Sequence, residues 1–263
     1  MKLSDKKKII IVVLLVAIYM AMSCLVTIKL RNGTFIYKGI ELPIFDTKSY
    51  INLVSHKYHE KKLTSHLQSI QKEINNKTII DAGAYIGDTS LFLAKNNPEQ
   101  LIYAIEPSLS NVKFINKIKN INKLKNIGVL RYLLSDKSRN HTVKNADFPN
   151  AAYTETENPG SDTTKSETLD KLISDDIIKG PIGLLHYDVE GMELEVLKGS
   201  INTISKDKPI IIVETLGTFE KNKELHDYLV KLNYYKYETI KESCAFGDIL
   251  NRIHCRNHIY KPL

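Results

Sequence analysis

Short runs of β-branched residues alternate with longer amphipathic stretches from residue 77 onward. The strands predicted from these runs cover residues 78–81, 101–106, 129–135, 183–188 and 209–214. The helical patterns cover residues 89–95, 111–125, 166–174, 192–205 and 225–232. Strands that alternate with helices form a mostly parallel sheet with helices on both faces, so the sequence predicts a doubly wound α/β domain.

Two further runs near the C-terminus, residues 234–240 and 257–260, are joined by a stretch without a clear helical pattern. Parallel neighbours need a crossover of a dozen or more residues, usually a helix, whereas antiparallel neighbours do not. We therefore predict that these two strands are antiparallel and complete the sheet.

An uncharged stretch at residues 9–28 precedes this domain and has the length of a membrane-spanning helix. About 20 apolar residues match the hydrocarbon thickness of a bilayer, so we predict a single-pass N-terminal anchor. A cleaved signal peptide is the alternative, because Ala21 and Ser23 form a small-residue pattern. Basic residues lie on both sides of the stretch and favour a cytoplasmic N-terminus only slightly, which leaves the side of the catalytic domain open.

The chain is thus divided into a basic tail (residues 1–8), the anchor (9–28), a stem with a leading helix (29–75) and one main domain (76–263). A chain of 263 residues can bury one sizeable core. Its net charge of +7 comes from the N-terminal part. Residues 1–75 hold 12 Lys/Arg against 5 Asp/Glu, whereas residues 76–263 hold 25 of each. A neutral body lacks the basic excess of phosphate-binding grooves, so no nucleic-acid partner is expected.

The cysteines and the histidines of the stem indicate no metal site. Cys24 lies in the apolar stretch, which leaves Cys244 and Cys255 as the candidates for a disulfide. Two reduced thiols and a disulfide in an oxidising compartment both remain possible states of this pair.

The histidines of the stem lack the usual spacing to cysteine or carboxylate ligands, so no metal site is predicted.

The ends of the first two strands carry residues that are typical of a nucleoside site. In such a sheet, ligands bind beyond the carboxyl ends of the strands, where the strand order reverses. The first strand runs into DAGAYIGDTS, in which Gly83 and Gly87 allow backbone to approach a ligand closely. Glu106 ends the second strand, 23 residues after Gly83, where a carboxylate can accept both hydroxyls of an adenosine ribose.

The same loop is unlike the loops that bind phosphates. It lacks the three glycines of a dinucleotide loop and the lysine of a nucleoside triphosphate loop. Asp81 and Asp88 would repel phosphates but attract the ammonium and sulfonium groups of S-adenosylmethionine. We therefore predict that S-adenosylmethionine is the cofactor. Its predicted binding residues are Asp81, Gly83, Ala84, Gly87, Asp88 and Glu106.

Several sequence blocks resemble the FkbM family of S-adenosylmethionine-dependent methyltransferases. They include IIDAGAYIGDTSLFLA at 79–94 and LLHYDVEGMELEVLKGS at 184–200, with shorter blocks at 103–111, 134–138, 167–173 and 208–215. The resemblance implies a seven-stranded Rossmann-like methyltransferase sheet. It also implies that Ser135 and Asp136 border the adenine, and that Asp188 and Glu190 face the methyl group and the acceptor.

The candidate catalytic residues are Asp188, Glu190 and His186. Because strand residues alternate between faces, His186 and Asp188 share one face and Asp188 reaches the cleft. We assign Asp188 as the base that receives the proton of a hydroxyl acceptor, with Glu190 or His186 as substitutes. The alternatives are a structural or cofactor-facing Asp188, a helix-capping Glu190 and a core His186, which stands where the family often carries lysine.

The sequence thus predicts a membrane-anchored methyltransferase that acts on a hydroxyl of a glycan or a small molecule. The alternatives are an RNA or protein methyltransferase and a membrane-tethered cofactor-binding module without turnover. The polar residues 140–165 are predicted to form a long loop over the cleft that selects the acceptor, with a plain surface loop as the alternative.

Overall fold

The computed structural model describes residues 30–31, 34–37, 40–43, 61–144, 152–155, 163–215, 219–243 and 254–263. The predicted anchor at residues 9–28 lies outside these ranges, as do Cys244 and the side chain of Cys255. Within the described ranges, no helix has the length and apolar composition that crossing a bilayer requires.

The strands and helices are numbered separately in chain order. The strands are β1 (Leu30–Arg31), β2 (Thr34–Tyr37), β3 (Ile40–Pro43), β4 (Thr78–Ala82), β5 (Ile102–Ile105), β6 (Ile127–Leu130), β7 (Leu133–Leu134), β8 (Arg139–Lys144), β9 (Ala152–Glu155), β10 (Thr163–Glu167), β11 (Ile182–Tyr187), β12 (Ile210–Thr215), β13 (Tyr234–Ser243) and β14 (His254–Pro262). The helices are α1 (Lys61–Glu73), α2 (Asp88–Asn96), α3 (Leu109–Ile121), α4 (Leu169–Ser174), α5 (Glu193–Lys198), α6 (Ile201–Asp207) and α7 (Phe219–Lys231).

A seven-stranded sheet in the order β13-β14-β12-β11-β4-β5-β6 forms the centre of the main domain. Its strands pair in parallel except β14, which is antiparallel to both β12 and β13. This arrangement confirms the predicted mostly parallel sheet with an antiparallel pair at its end. The strand order reverses between β4 and β11, so the carboxyl ends of these strands open onto the cleft.

Helices cover both faces of the sheet because successive strand residues point to opposite faces. On β4, Ile79 belongs to a core cluster with residues of α1, α2 and α3, whereas Ile80 belongs to one with residues of α4, α5, α6 and α7. Each fully buried Ile or Leu side chain contributes about 1.5–3 kcal/mol to folding. The doubly wound architecture is confirmed.

Two predicted elements are divided in the structure. The strand predicted over residues 129–135 is two strands, because β7 leaves the main sheet and pairs with β10. The helix predicted over residues 192–205 is divided at Gly199 into α5 and α6. A Cβ at Gly199 would lie 2.0 Å from the carbonyl oxygen of Ser135, so the chain packs closely at this point.

A small four-stranded sheet in the order β7-β10-β8-β9 corrects the loop predicted at residues 140–165. β10 pairs with β8 on one side and with β7 on the other. Threonine-rich sequence such as that of β10 favours strands once partners are available. The same pairing explains why the helix predicted from residue 166 begins at Leu169 instead.

The stem contains a three-stranded antiparallel sheet, β1-β2-β3, which the sequence did not predict. Asn122, after α3, fastens β3 to the main domain. Its side chain accepts a hydrogen bond from the Glu41 amide at 2.7 Å and donates one to the Glu41 carbonyl oxygen at 2.9 Å. Ile40 is buried in the core cluster beside α3, so part of the predicted stem belongs to the folded domain.

Candidate active site

The loop after β4 brings its backbone against β11. Gly83 has a φ of +80°, and a Cβ there would lie 1.6 Å from the carbonyl oxygen of Asp188. Gly87 has a φ of +78°, and a Cβ there would lie 2.9 Å from the Ile115 side chain. Both positions therefore need glycine, for conformation and for space. Ala84 is buried between them.

Asp81 supports this loop from within the sheet. Its carboxylate accepts a hydrogen bond from the Ser90 hydroxyl and lies 2.7 Å from His186 Nδ1. Asp81 and His186 are both almost fully buried, and each also lies beside the other in the register of β4 and β11. This geometry favours a structural role in the core for His186 over a catalytic role.

Glu106 follows β5 and is 5% exposed. Its carboxylate accepts hydrogen bonds from the Tyr85 and Ser108 amides at 2.9 Å and from the Asn111 side chain at 3.2 Å. Burial nevertheless raises the pKa of Glu106 to about 7. A carboxylate has about four lone-pair positions, so these three donors leave about one for a ribose hydroxyl rather than the predicted two.

Asp88 adds a second acidic group to the loop as the first residue of α2. Its Oδ2 atom is buried and has no hydrogen-bond partner among the described residues. A buried carboxylate oxygen without a donor is unfavourable, so the site is suited to a ligand that supplies one. The ammonium group of S-adenosylmethionine has this property.

Asp188 lies where β11 ends, beside the glycine loop. Its amide donates a hydrogen bond to the Ala82 carbonyl oxygen at 3.0 Å. Asp188 lies next to Glu214 of β12, because the preceding residues Tyr187 and Val213 are paired in the register of the two strands. Burial, followed by the negative charge of Glu214, raises the pKa of Asp188 well above its usual range.

Glu190 lies two residues further on in a left-handed conformation, with a φ of +53°. Such backbone is strained for a residue with a side chain and is concentrated at functional sites. Glu190 has an exposed surface, but partial burial of its carboxyl group and the charges of Asp188 and Glu193 raise its pKa to about 7. The start of α5 at Met192 has no side-chain capping bond from Glu190, and the Glu193 carboxylate accepts a hydrogen bond from the Gly191 amide at 3.0 Å.

Ser135 and Asp136 follow β7 on the small sheet rather than a strand of the main sheet. The Ser135 amide donates to the Glu167 carbonyl oxygen at 3.1 Å, and Asp136 pairs with Arg139 at 3.9 Å. The adenine-binding role that the resemblance implies for these two residues stays a prediction.

Sequence reasoning missed two acidic residues. Glu214 lies at a strand end, as Asp188 does, and that shared position is the signal that could have identified it. Asp170 instead stabilises the start of α6, where its carboxylate accepts hydrogen bonds from the Asn202 and Thr203 amides, both at 2.8 Å. Nothing in the local sequence of Asp170 indicates this partner, because α6 lies about 30 residues further along the chain.

The pattern of the methyltransferase FkbM domain matches residues 81–239, which include the glycine loop, Glu106, Asp188 and Glu214. The chain belongs to the FkbM methyltransferase family. It is an S-adenosylmethionine-dependent methyltransferase, and S-adenosylmethionine is its cofactor. The resemblance drawn from the sequence is thereby confirmed.

Solved structures with similarity to this FkbM protein include other methyltransferases. The FkbM methyltransferase of Methylobacillus flagellatus KT is 18% identical, with a TM-score of 0.47 over 70% of this chain, which spans 43% of that chain. The precorrin-6y C5,15-methyltransferase of Geobacter metallireducens GS-15 is 11% identical, with a TM-score of 0.47 over 77% of this chain and 89% of that one. Trm5b of Pyrococcus abyssi is 12% identical, with a TM-score of 0.48 over 88% of this chain and 56% of that one. No curated protein matches the sequence significantly.

Proposed function

We propose that this FkbM protein transfers the methyl group of S-adenosylmethionine to a hydroxyl of a glycan or a small molecule. The observation that carries the proposal is the position of Asp188, whose backbone packs against Gly83 and whose amide donates a hydrogen bond to the Ala82 carbonyl oxygen. The cofactor, when bound, supplies an electrophilic methyl group on a sulfonium. Because charge is lost in the transfer, positioning and exclusion of water provide much of the acceleration.

We assign different roles to the residues of the cleft. Gly83 and Gly87 let the loop pack against Asp188 and Ile115, Glu106 accepts a ribose hydroxyl, and Asp88 attracts the ammonium group. Asp188 receives the proton that the acceptor hydroxyl loses, with Glu190 as the nearby second carboxyl group.

The charge distribution of the main domain supports an uncharged acceptor. The main domain has equal numbers of basic and acidic residues, and the ends of β11 and β12 present Asp188, Glu190 and Glu214. These acidic groups offer the phosphates of RNA no positive counter-charge, which makes RNA the weaker candidate. We further propose that residues 9–28 tether the domain to a membrane, as their apolar length suggests.

Two measurements on the full-length chain test the proposal. Calorimetry with S-adenosylmethionine and NAD in parallel should show binding of the first and none of the second. S-adenosylhomocysteine release is then measured with panels of glycans, RNA and protein, and Glu106→Ala serves as the control that loses cofactor binding. We expect release with a glycan panel. Release only with RNA or protein contradicts the proposed acceptor, and cofactor binding without any release contradicts turnover.

A further inference from the structure

A cavity of about 340 Å³ lies between α1 and the edge of the main sheet formed by β13 and β14. Tyr260, next to the lining residue Lys261, pairs with Ile211 at the start of β12, whereas Arg256 pairs with Thr215 at its carboxyl end. At about 3.4 Å per residue, Lys261 is roughly 17 Å along β14 from the edge that opens onto the cleft. Cavities of about 300–1,000 Å³ accommodate small ligands, so this one is large enough for a ligand of its own.

A β-bulge places an aromatic side chain in the wall of this cavity. Lys236 lies beside Tyr260 and Glu238 beside Ile259, so Tyr237 is an extra residue of β13 without a partner on β14. Consecutive strand residues normally point to opposite faces, but Tyr237 and Glu238 both line the cavity because the bulge interrupts the alternation. Since Tyr237 is 55% exposed, its ring offers apolar surface to a ligand.

The charged side chains of the cavity lie in opposite pairs. Lys261 Nζ lies 2.8 and 2.9 Å from the two carboxylate oxygens of Glu73 and 4.5 Å from the centre of the Tyr237 ring. His66 Nε2 lies 3.0 Å from Glu238 Oε2, which is an ion pair when the imidazole is protonated. Lys261 thus already fills the position that a cationic ligand would take over the ring. The cavity also has no excess of positive charge among its described lining residues, so it does not favour an anion.

The remaining groups of the cavity favour a neutral ligand with several hydroxyl groups. Ser69 presents a hydroxyl from α1, and each carboxylate has about four lone-pair positions, so the cavity offers a donor and acceptors. Ile70 and Ile259, both buried, add apolar surface to that of Tyr237. A sugar ring has hydroxyl groups around its edge and C–H groups on its faces, so it matches both kinds of surface. A wholly apolar ligand would leave the carboxylates without partners.

We propose that this cavity binds a neutral sugar residue of a glycan and is a second site, separate from the cleft. Sugar binding here requires neither S-adenosylmethionine nor turnover. Its link to methyl transfer rests on the proposed function. A glycan acceptor long enough to reach both sites would be held near the cleft, which raises its effective concentration there.

The chain contains no tryptophan, which allows a direct test. Tyr237→Trp keeps an aromatic ring in the cavity wall and gives the full-length chain a single tryptophan. Its emission is measured while glucose, galactose, mannose and N-acetylglucosamine are added separately, up to tens of millimolar. We expect a saturable change with at least one sugar. Val230→Trp, at a 49% exposed position on α7, is the control and should show none. No saturable change in Tyr237→Trp, or the same change in both variants, overturns the proposal.

Removal of the ring tests the same site in a second way. Saturation-transfer NMR detects sugar binding to the wild-type chain, and Tyr237→Ala should weaken that binding by roughly 10-fold or more. Tyr235→Ala is the matched control, because this neighbouring tyrosine is 41% exposed but does not line the cavity. Calorimetry with S-adenosylmethionine verifies that both variants fold. Sugar binding that is unchanged in Tyr237→Ala overturns the proposal, and the tryptophan measurement decides if this variant does not fold. Absence of S-adenosylmethionine binding to the wild type contradicts the proposed function instead.

Discussion

The two sides of the cleft differ in how their acidic groups are partnered. At the ends of β4 and β5, Asp81 and Glu106 are held by hydrogen bonds from the loop, from α2 and from α3. At the ends of β11 and β12, Asp188 and Glu214 occupy neighbouring positions, and burial with the negative charge of Glu214 raises the pKa of Asp188. On the proposed cofactor side, most acidic groups thus have hydrogen-bond donors and Asp88 Oδ2 is the exception among the described residues, whereas the proposed acceptor side brings like charges together.

This contrast predicts that mutations on the two sides affect different properties, the stability of the fold on one side and catalysis on the other. A change on the cofactor side removes space or hydrogen bonds and should lower the free energy of unfolding. A change on the acceptor side alters protonation and should affect turnover more than folding.

Loss of space at the glycine loop should have the largest effect. In Gly83→Ala the new Cβ would overlap the Asp188 carbonyl oxygen, so we expect loss of cofactor binding and more than about 3 kcal/mol of unfolding free energy. Gly191→Ala is the matched control, because its φ is +97° but nothing lies within 4 Å of the added Cβ. It should lose only about 1–2 kcal/mol, the conformational part. Urea unfolding and calorimetry compare the two, and equal losses would show that space is not the cause.

Removal of the proposed base, Asp188, should have the second-largest effect. We expect Asp188→Asn to lower kcat by roughly 10²–10⁴-fold and to leave cofactor affinity within a few-fold of the wild type. Glu224→Gln, a 78% exposed position on α7, is the control and should leave kcat unchanged. Undiminished turnover by Asp188→Asn would remove Asp188 from the base role.

The pH dependence of stability should report the burial of Glu106. Its pKa is about 7 in the folded chain against a usual value of 4.5, so the folded state holds the extra proton between these values. This contribution is fully present below pH 4.5 and is lost as the pH rises through about 7. We expect the unfolding free energy of the cofactor-free protein to fall by an amount on the order of 3 kcal/mol over that window.

Urea unfolding of the wild type and of Glu106→Gln across this pH range measures the effect. The variant has no titrating group at this position and should show a flatter curve. A curve as steep as that of the wild type would assign the proton to another residue.

The smallest effects should come from single polar contacts on the two sides. Ser90→Ala removes a hydrogen bond to buried Asp81 and should lower the unfolding free energy by about 1–3 kcal/mol. Glu190→Gln removes a charge that its surroundings disfavour and should change the unfolding free energy by less than about 0.5 kcal/mol. Thermal unfolding of both variants at one pH separates these cases. A larger loss in Glu190→Gln would reverse the comparison.

The main sheet could be predicted because its β-branched runs are buried on both faces and end in polar residues. Gly83, Glu106 and Asp188 were found for that reason, and the structure places Gly83 and Asp188 in contact. The small sheet could not be predicted in the same way. β8 and β10 are polar, and their strand character depends on partners that the local sequence does not show.

The proximity of Asp188 and Glu214 could not be predicted from the sequence for a related reason. The two residues are 26 positions apart and meet only because β11 and β12 are neighbours in the sheet. Charge and spacing along the chain indicate which residues reach strand ends, but not which strand ends lie side by side. His186 shows the same limit, since its contact with Asp81 depends on the pairing of β4 with β11.

A crystal structure of the full-length chain with S-adenosylhomocysteine tests the central claim most directly. The account predicts a ribose hydroxyl within about 3.2 Å of the Glu106 carboxylate and the sulfur atom directed towards Asp188. A ligand bound elsewhere, or a Glu106 side chain turned away from the ribose, would contradict it.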